Sequence, residues 1–448
     1  MRGHYAQRLF QAPNSALFVA ISAYSVPAIV CDAGTLSQIA IIQELGKLGV
    51  PVIALSNKSS AIGFTSRYAR HKILAPMPSY DASYVDFLIA SVPRGVVYYS
   101  NDANTEIIAT HKNRLLREGF SLLVANREVL DRVVNKDRLF ATGKECGIAV
   151  PRCSLVSLEN LAHEAAAIGF PCIVKSTNLA GGIYEMVLEA DAVHTVYGRM
   201  CKTVSATDLA HRAAQLMVQE WIPQEGVKLW NFNACVKGGE IISFAMGERI
   251  RSDLKPNGVL GSMLMYGLTA YNDNIIEANR RLLRHLRFDG FVETEWSQHT
   301  VKRDQLYLYD FNPRPSGNIR WTIKSGVPVV EDYYRLSLGL SATRHSPMRE
   351  GVRYVKLVYR HNDPMSAWAN PHLSLAGKTA ILKEDLQTLF SAGNHAIDVF
   401  DSSDWRPTLA ACHDLVTMLV RRRCDRVRSR VARATRAIRF GSRVTGSR

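Results

Sequence analysis

GFVETEWSQHTVKRDQLYLYDFNPRPSG, residues 290–317, holds two runs rich in aromatic and β-branched residues, 291–296 and 306–312, on either side of a polar, charged connection. That composition predicts two antiparallel strands and their loop. Side chains alternate faces along a strand, so Glu293 and Glu295 share one face of the first strand. Asp310 and Asn312 share one with Leu306 and Leu308 of the second. With the loop centred on Lys302 and Arg303, Glu295 lies opposite Asp310, and Glu295, Asp310 and Asn312 converge on one patch of sheet. Two carboxylates at cross-strand distance repel unless a cation lies between them. Hard oxygen ligands of this kind suit Mg2+, with Mn2+ as a substitute, bridging substrate phosphates. Arg314, just beyond, has the fork geometry for a phosphate or carboxylate. The two acids alone fit an ordinary hairpin with its acids in water equally well.

Further basic groups precede this hairpin. Asn135, Lys136 and Asp137 open a predicted helix running to about Cys146, which GIAVP (147–151) stops with Gly as the cap and Pro beyond. A cation in a first helical turn opposes the helix dipole, so Lys136 either has an anionic partner or is solvated. GFPCIVK (169–175) reads as a strand ending in Lys175, followed by a loop of small residues, 176–182, with Gly181 and Gly182. Such a loop lets backbone N–H groups approach phosphates while a lysine supplies a point charge. YGRMCK (197–202) leads into a new predicted helix at Ser205, and MVQEWIP (217–223) is a strand turning into a Pro-marked linker. After a strand at 241–246, Arg249 and Arg251 alternate onto one face. There they are candidates for stabilising charge on a transferring phosphoryl group, or simply solvated arginines.

The string DFNPRPSG, with VETEW before it, resembles the closing signature of ATP-grasp ligases, in which an acid on one strand and acid-x-Asn-Pro-Arg on the next hold magnesium-ATP. One departure is Asp310 where Glu is more usual. The order of Lys136, the GIAVP turn, strand-end Lys175 and a small-residue flap also resembles that superfamily, with Asn135 and Ser176 departing from its commoner Asp and Pro. The resemblance implies ATP and Mg2+ as cofactors, with Glu295, Asp310 and Asn312 on the metal. It implies phosphate contacts from Lys136, Lys175, Gly181, Gly182 and, through a Gly-Arg-x-x-Lys element, Lys202. The hinge would place Glu220, Trp221 and Ile222 at adenine and Glu225 at ribose. Arg249, Arg251 and Arg314 are the expected catalytic residues, with Arg320 a further candidate for orienting the acceptor.

Before this core, apolar runs at 27–31, 50–55 and 95–99, with helical patterns between them and a last strand at 122–124, predict a doubly wound parallel sheet. Ligands of such sheets lie beyond the carboxyl ends of strands, which singles out Asp32, Gly34 and the turn Ser100, Asn101, Asp102, although turn chemistry alone accounts for each. No GxGxxG fingerprint is present. After about residue 340 the signal thins to strands at 355–359 and 396–400, then a turn with Asp401, Asp404 and Pro407. A similar Asp-x-x-Pro ending accompanies some carboxylate-amine ligases.

The formal charge is +15, but residues 421–448 hold eleven arginines and one acid, which leaves about +5 for the rest. Basic and aromatic residues do not interleave along the body as a nucleic-acid groove requires, so no specific nucleic acid is expected. Cys424, Val427, Val431, Ala434 and Ile438 recur at helical spacing within the tail, which fits either a basic helix on an anionic membrane surface or a solvated arm. The eight cysteines are scattered singly, which predicts free thiols and a cytoplasmic protein. The apolar stretch 16–31, broken by Ser22, Tyr24, Ser25 and Pro27, reads as fold and not as a secretory signal.

The expected fold class is α/β and α+β: an N-terminal doubly wound parallel domain (1–125), a two-lobed ATP-grasp core (126–340, lobes about 126–220 and 221–340) and a small C-terminal region (341–448) with the tail. The expected function is ATP-dependent activation of a small-molecule carboxylate as an acyl phosphate for attack by an amine, releasing ADP and phosphate. The alternatives are a non-catalytic ATP-binding sensor and a carboxylase using carboxyphosphate.

Overall fold

The computed structural model describes residues 24–77, 82–177, 184–205, 215–222, 227–254, 260–299, 305–356, 374–380, 383, 395–414 and 416–417. Gly181, Gly182, Glu225 and the tail 421–448 lie outside the described residues, as does the side chain of Arg251.

Four strands, β1 (Ala28–Val30), β2 (Val52–Ser56), β3 (Ala69–Leu74) and β4 (Val96–Tyr98), form a parallel sheet in the order β3-β2-β1-β4. Every residue of β1, β2 and β4 is buried, as in a sheet covered on both faces. Sequence reasoning misses β3 because ARHKIL is an edge strand exposed over most of its length. The strand expected at 122–124 does not form; Ser121 makes a single parallel bridge to Val96. From β1 the chain turns through α1 (Leu36–Lys47) to β2 on one side, while β4 lies on the other side and leads into α3 (Asp102–Thr110), α2 being Ser83–Ser91. The order therefore reverses between β1 and β4.

After α4 (Lys112–Arg117), α5 (Arg127–Val134) and α6 (Lys136–Glu145) comes a second, antiparallel sheet. It contains β5 (Cys153–Val156), β6 (Cys172–Ser176), β7 (Tyr184–Val187) and β8 (Leu216–Glu220) in the order β5-β8-β6-β7. With α7 (Leu161–Ile168) and α8 (Val193–Ser205) it closes a separate core that includes Leu161, Cys172, Val174, Val187, Met200 and Val218.

The third sheet has seven strands: β9 (Val227–Lys237), β10 (Glu240–Leu254), β11 (Leu260–Thr269), β12 (Gly290–His299), β13 (Gln305–Asn312), β14 (Arg353–Val355) and β15 (His395–Ile397), ordered β13-β12-β9-β10-β11-β14-β15. Helix α9 (Asp273–Leu286) starts at Asn272, whose side chain accepts from Ile275 N, and buries Ile275, Leu282 and Leu283. Along one face of β9 and β12, Asn231, Asn233, Glu293 and Glu295 are followed by Cys235 and Phe291, so a polar end of the sheet gives way to an apolar one. The apolar end packs on Tyr333, with 4.4 Å between the ring centres of Phe291 and Tyr333, and on the first domain, where Phe291 N donates to Tyr99 Oη at 2.9 Å. Gly290 makes this approach feasible. Its φ is 111°, and a Cβ there would lie 2.3 Å from Tyr99 Oη.

The C-terminal turn ties the domains together. Asp404, 1 % exposed, accepts from Ser66 Oγ (2.5 Å), Arg67 N (3.1 Å) and Gln43 Nε2 (3.1 Å). Asp401 takes Lys47 Nζ at 2.9 Å and Arg320 Nη1 at 3.3 Å. Arg320 lies in the first turn of α10 (Ile319–Lys324), which precedes α11 (Val329–Ser337), so the turn links the parallel domain to the segment after the hairpin. Among the described residues no helix is long and apolar enough to cross a membrane.

Candidate active site

Strands β12 and β13 pair antiparallel with Glu293 opposite Asn312 and Glu295 opposite Asp310. Past that point the register slips: Trp296 pairs with Leu308, leaving Tyr309 as an extra residue. This bulge corrects one expectation, because it turns Leu306 and Leu308 onto the face of Trp296, opposite to Asp310 and Asn312. It also brings Tyr309 to Glu295.

Each acid meets a different cation. Arg249 on β10, with a side chain only 2 % exposed, places Nη2 3.0 Å from Glu295 Oε2 and donates from Nε and Nη2 to Asn231 Oδ1 at 3.2 and 3.1 Å. Lys136, at the start of α6, forms a close ion pair with Asp310. The cation that opposes its own helix dipole thus gains its anion from the other lobe. Lys175, at the end of β6, donates to Gln219 Oε1 at 3.3 Å, and burial with Lys136 nearby pulls its pKa down to about 8, against the opposing pull of Asp310.

Burial raises Glu295 to about 7, with Asp310 and Glu293 adding to the rise and Arg249 opposing it. Burial acts in the same direction on Asp310, but Lys136 and Lys175 outweigh it and hold that carboxyl below its ordinary value. Two carboxylates across one sheet are thus driven apart, as expected of coupled groups sharing a site.

Glu293 is the hub that sequence reasoning left without a role. It accepts from Asn231 Nδ2 (3.0 Å), Ser316 Oγ (2.7 Å), Asn318 Nδ2 (3.4 Å) and Asn312 Nδ2 (3.4 Å). The signal was available in the alternation of VETE, which puts Glu293 beside Glu295. Arg314 donates from Nε to Asp102 Oδ1 at 2.9 Å and from Nη2 to Asn312 Oδ1 at 3.2 Å, joining the first domain to the hairpin.

Other expected site residues belong to α8, to the end of β8 and just beyond it, and to β10. Residues 197–202 are inside α8, not ahead of a helix; Lys202 is exposed, and Arg199 pairs with Glu185 at 2.5 Å. No described contact joins Lys202 to Glu295 or Asp310. Glu220 pairs with Arg152 at 3.3 Å, and Trp221 and Ile222 follow β8 half-buried. The pairing of β10 with β11 slips between Arg249 and Arg251, so simple alternation does not relate those two. Arg320, 3 % exposed, is held by Asp398 O, Asp401 and Gln43, which corrects the expectation that it orients a substrate.

The donor set suits a divalent ion that brings part of its own coordination. Glu295 and Asp310 face one another and Asn312 follows, but among the described residues no three His, Cys, Asp or Glu side chains are grouped so that they could hold a metal ion.

No protein-family model matches the chain. It is 25 % identical over 252 residues to the carbamoyl phosphate synthase large chain of Pseudothermotoga lettingae, covering 54 % of this chain and 22 % of that one, so it spans about a fifth of that relative's length. Its structure is similar to the biotin carboxylase domain of Hydrogenobacter thermophilus 2-oxoglutarate carboxylase, solved with MgADP, ADP and bicarbonate (TM-score 0.59, 16 % identity, 73 % of each chain). It is also similar to Staphylococcus aureus N5-carboxyaminoimidazole synthetase complexed with ADP (TM-score 0.52, 16 % identity, 72 % of this chain and 79 % of that one). The Campylobacter jejuni biotin carboxylase complex with β,γ-ATP has a TM-score of 0.59 at 12 % identity, over 74 % and 75 % of the two chains. With a parallel domain leading into an antiparallel lobe and a large sheet whose last hairpin faces that lobe's lysines, the chain has the ATP-grasp fold.

Proposed function

We propose that this protein is an ATP-dependent, ADP-forming ligase that activates a small-molecule carboxylate for attack by an amine. The observation that carries this reading is Glu295 facing Asp310 on β12 and β13, with Arg249 on one acid and Lys136 of the other lobe on the second. A carboxylate resists amines because its oxygen is a poor leaving group; ATP with Mg2+ supplies a phosphoryl group that turns it into an acyl phosphate. Glu295, Asp310 and Asn312 are the residues that would hold the metal. Lys136 and Lys175 would screen the phosphates, and the buried, permanently charged Arg249 would steady the charge that develops during transfer. Residues 220–222, at the end of β8 and just beyond it, would contact the nucleotide base. Positioning and charge neutralisation do most of the work, since no protein nucleophile is required.

One similar structure, solved with bicarbonate, favours a second reading, in which the activated acid is bicarbonate and the intermediate is carboxyphosphate. Incubation with Mg-ATP, a panel of carboxylates and hydroxylamine tests both. The first reading predicts ADP and a hydroxamate, and the second predicts ADP release that depends on bicarbonate. ATP bound without any ADP release would leave a nucleotide sensor and overturn both.

The seven cysteines among the described residues are free, which supports a reducing, cytoplasmic setting. Trp405, Leu409 and Val416 are exposed shortly before the arginine-rich tail, which supports contact of this end with an anionic membrane surface. Deleting 421–448 should then abolish binding to anionic liposomes.

A further inference from the structure

Arg314 opens onto a crevice that the reading above leaves unused. It lies where the strand order of the parallel sheet reverses, between the carboxyl ends of β1 and β4, the place where open α/β sheets bind ligands. Asp32 follows β1, and its carboxylate accepts from Asn101 Nδ2 at 3.2 Å; no basic side chain forms an ion pair with it among the described residues. Asn101 also caps α3, accepting from Asn104 N at 2.9 Å. The neighbouring Asp102 is already balanced by Arg314 at 2.9 Å.

Two buried polar groups beside this crevice have no partner. Ser100, 3 % exposed and in the same turn, has an unpaired hydroxyl. Asn233, 4 % exposed, has both ends of its carboxamide unpaired and lines a small cavity with Arg314, Pro315 and Ser316. Orphaned groups at this depth are uncommon and point to a ligand that pairs with them.

Resting on the ligase reading, we propose that this crevice is the ammonium subsite for the amine substrate, with the protonated amine lodged against Asp32 on binding and its proton passing to solvent water before the neutral amine attacks the acyl carbon and displaces phosphate. An ammonium brings one positive charge and three N–H donors. Asp32 supplies a negative charge that Lys58 offsets without forming an ion pair, and the Ser100 hydroxyl supplies a further acceptor. Arg314 stands between the crevice and Asn312 on β13, so an amine held here borders the cleft where the carboxylate is activated.

Asp32→Asn is the decisive variant, because Asp32 sits at φ 52 and Asn adopts the left-handed region as Asp does. Turnover is compared for glycine, L-alanine, L-lysine and putrescine, which are cationic near neutral pH, and for hydroxylamine, which is not. The expected result is a KM for the cationic amine raised about ten-fold, with its kcat/KM relative to hydroxylamine falling by the same factor. An unchanged ratio overturns the proposal, and so does a wild-type enzyme that uses hydroxylamine but none of the four amines. Should the wild type release no ADP even with hydroxylamine, the ligase reading itself fails and melting curves decide the crevice. Millimolar L-lysine or putrescine would then raise the Tm of the wild type and not of Asp32→Asn, whereas equal shifts, or none, would reject an ammonium site.

Discussion

Two networks of buried arginine and carboxylate stand in this molecule, one at the C-terminal turn and one at the hairpin, and they are balanced differently. In the C-terminal turn, Asp401 is answered by Ser403, Lys47 and Arg320. Although burial pushes its carboxyl up, Ser403 and Lys47 hold it at about 2. At the hairpin, Glu295 has Arg249 beside it and still rises to about 7, because burial and two neighbouring acids outweigh one guanidinium. The first network is complete in itself and serves to hold domains together. In the second, Asp310 is held low by two lysines while Glu295 stays raised beside a single guanidinium, and such a divided pair of carboxyls is characteristic of a functional site.

The sharpest way to break this contrast is to neutralise one acid in each network. Asp310→Asn should lower ADP-forming turnover by about 100- to 1000-fold in steady-state assays, the scale of losing a group aimed at transition-state charge. Asp401→Ala should leave turnover per folded molecule intact and reduce stability by about 3 kcal/mol in urea titrations, since it strands the buried Arg320 guanidinium. If Asp401→Ala instead abolished turnover in a stable protein, the division between the two networks would be wrong.

A smaller effect tests the apolar end of the same sheet. Gly290→Ala should cost about 1–3 kcal/mol, because the added Cβ meets Tyr99 Oη and Leu123 O at a backbone angle that disfavours side chains. The smallest effect concerns acid. Asp401 lies below its ordinary value of 3.8 in the folded chain, so it contributes stability that is fully present above about pH 4 and lost as pH falls through about 2. The difference in urea midpoint between wild type and Asp401→Ala should therefore stay constant above about pH 4 and shrink below it.

The sequence was informative where contacts are local. Alternation and one turn were enough to place Glu295 across from Asp310, and continuous apolar runs marked β1, β2 and β4. It was silent where a single residue changes register: nothing in QLYLYDFN announces that Tyr309 is extra, yet that residue decides which face Leu308 takes. The edge strand β3 carries too little apolar surface to be seen. Arg320 looked free for a substrate because its partners, Gln43 and Asp401, lie 277 and 81 residues away in the chain. That residues 197–202 lie inside α8 was not legible either, because the spacing of a short motif does not show whether a helix contains it.

The central claim is that the face shared by Glu295 and Asp310 takes a divalent ion together with a nucleoside triphosphate. Titration of Mn2+ followed by electron paramagnetic resonance, with and without ATP, tests it most directly. The account predicts tight Mn2+ binding by the wild type only when ATP is present, with that binding lost in Asp310→Asn. Mn2+ binding that is indifferent to ATP, or unchanged in Asp310→Asn, would contradict it.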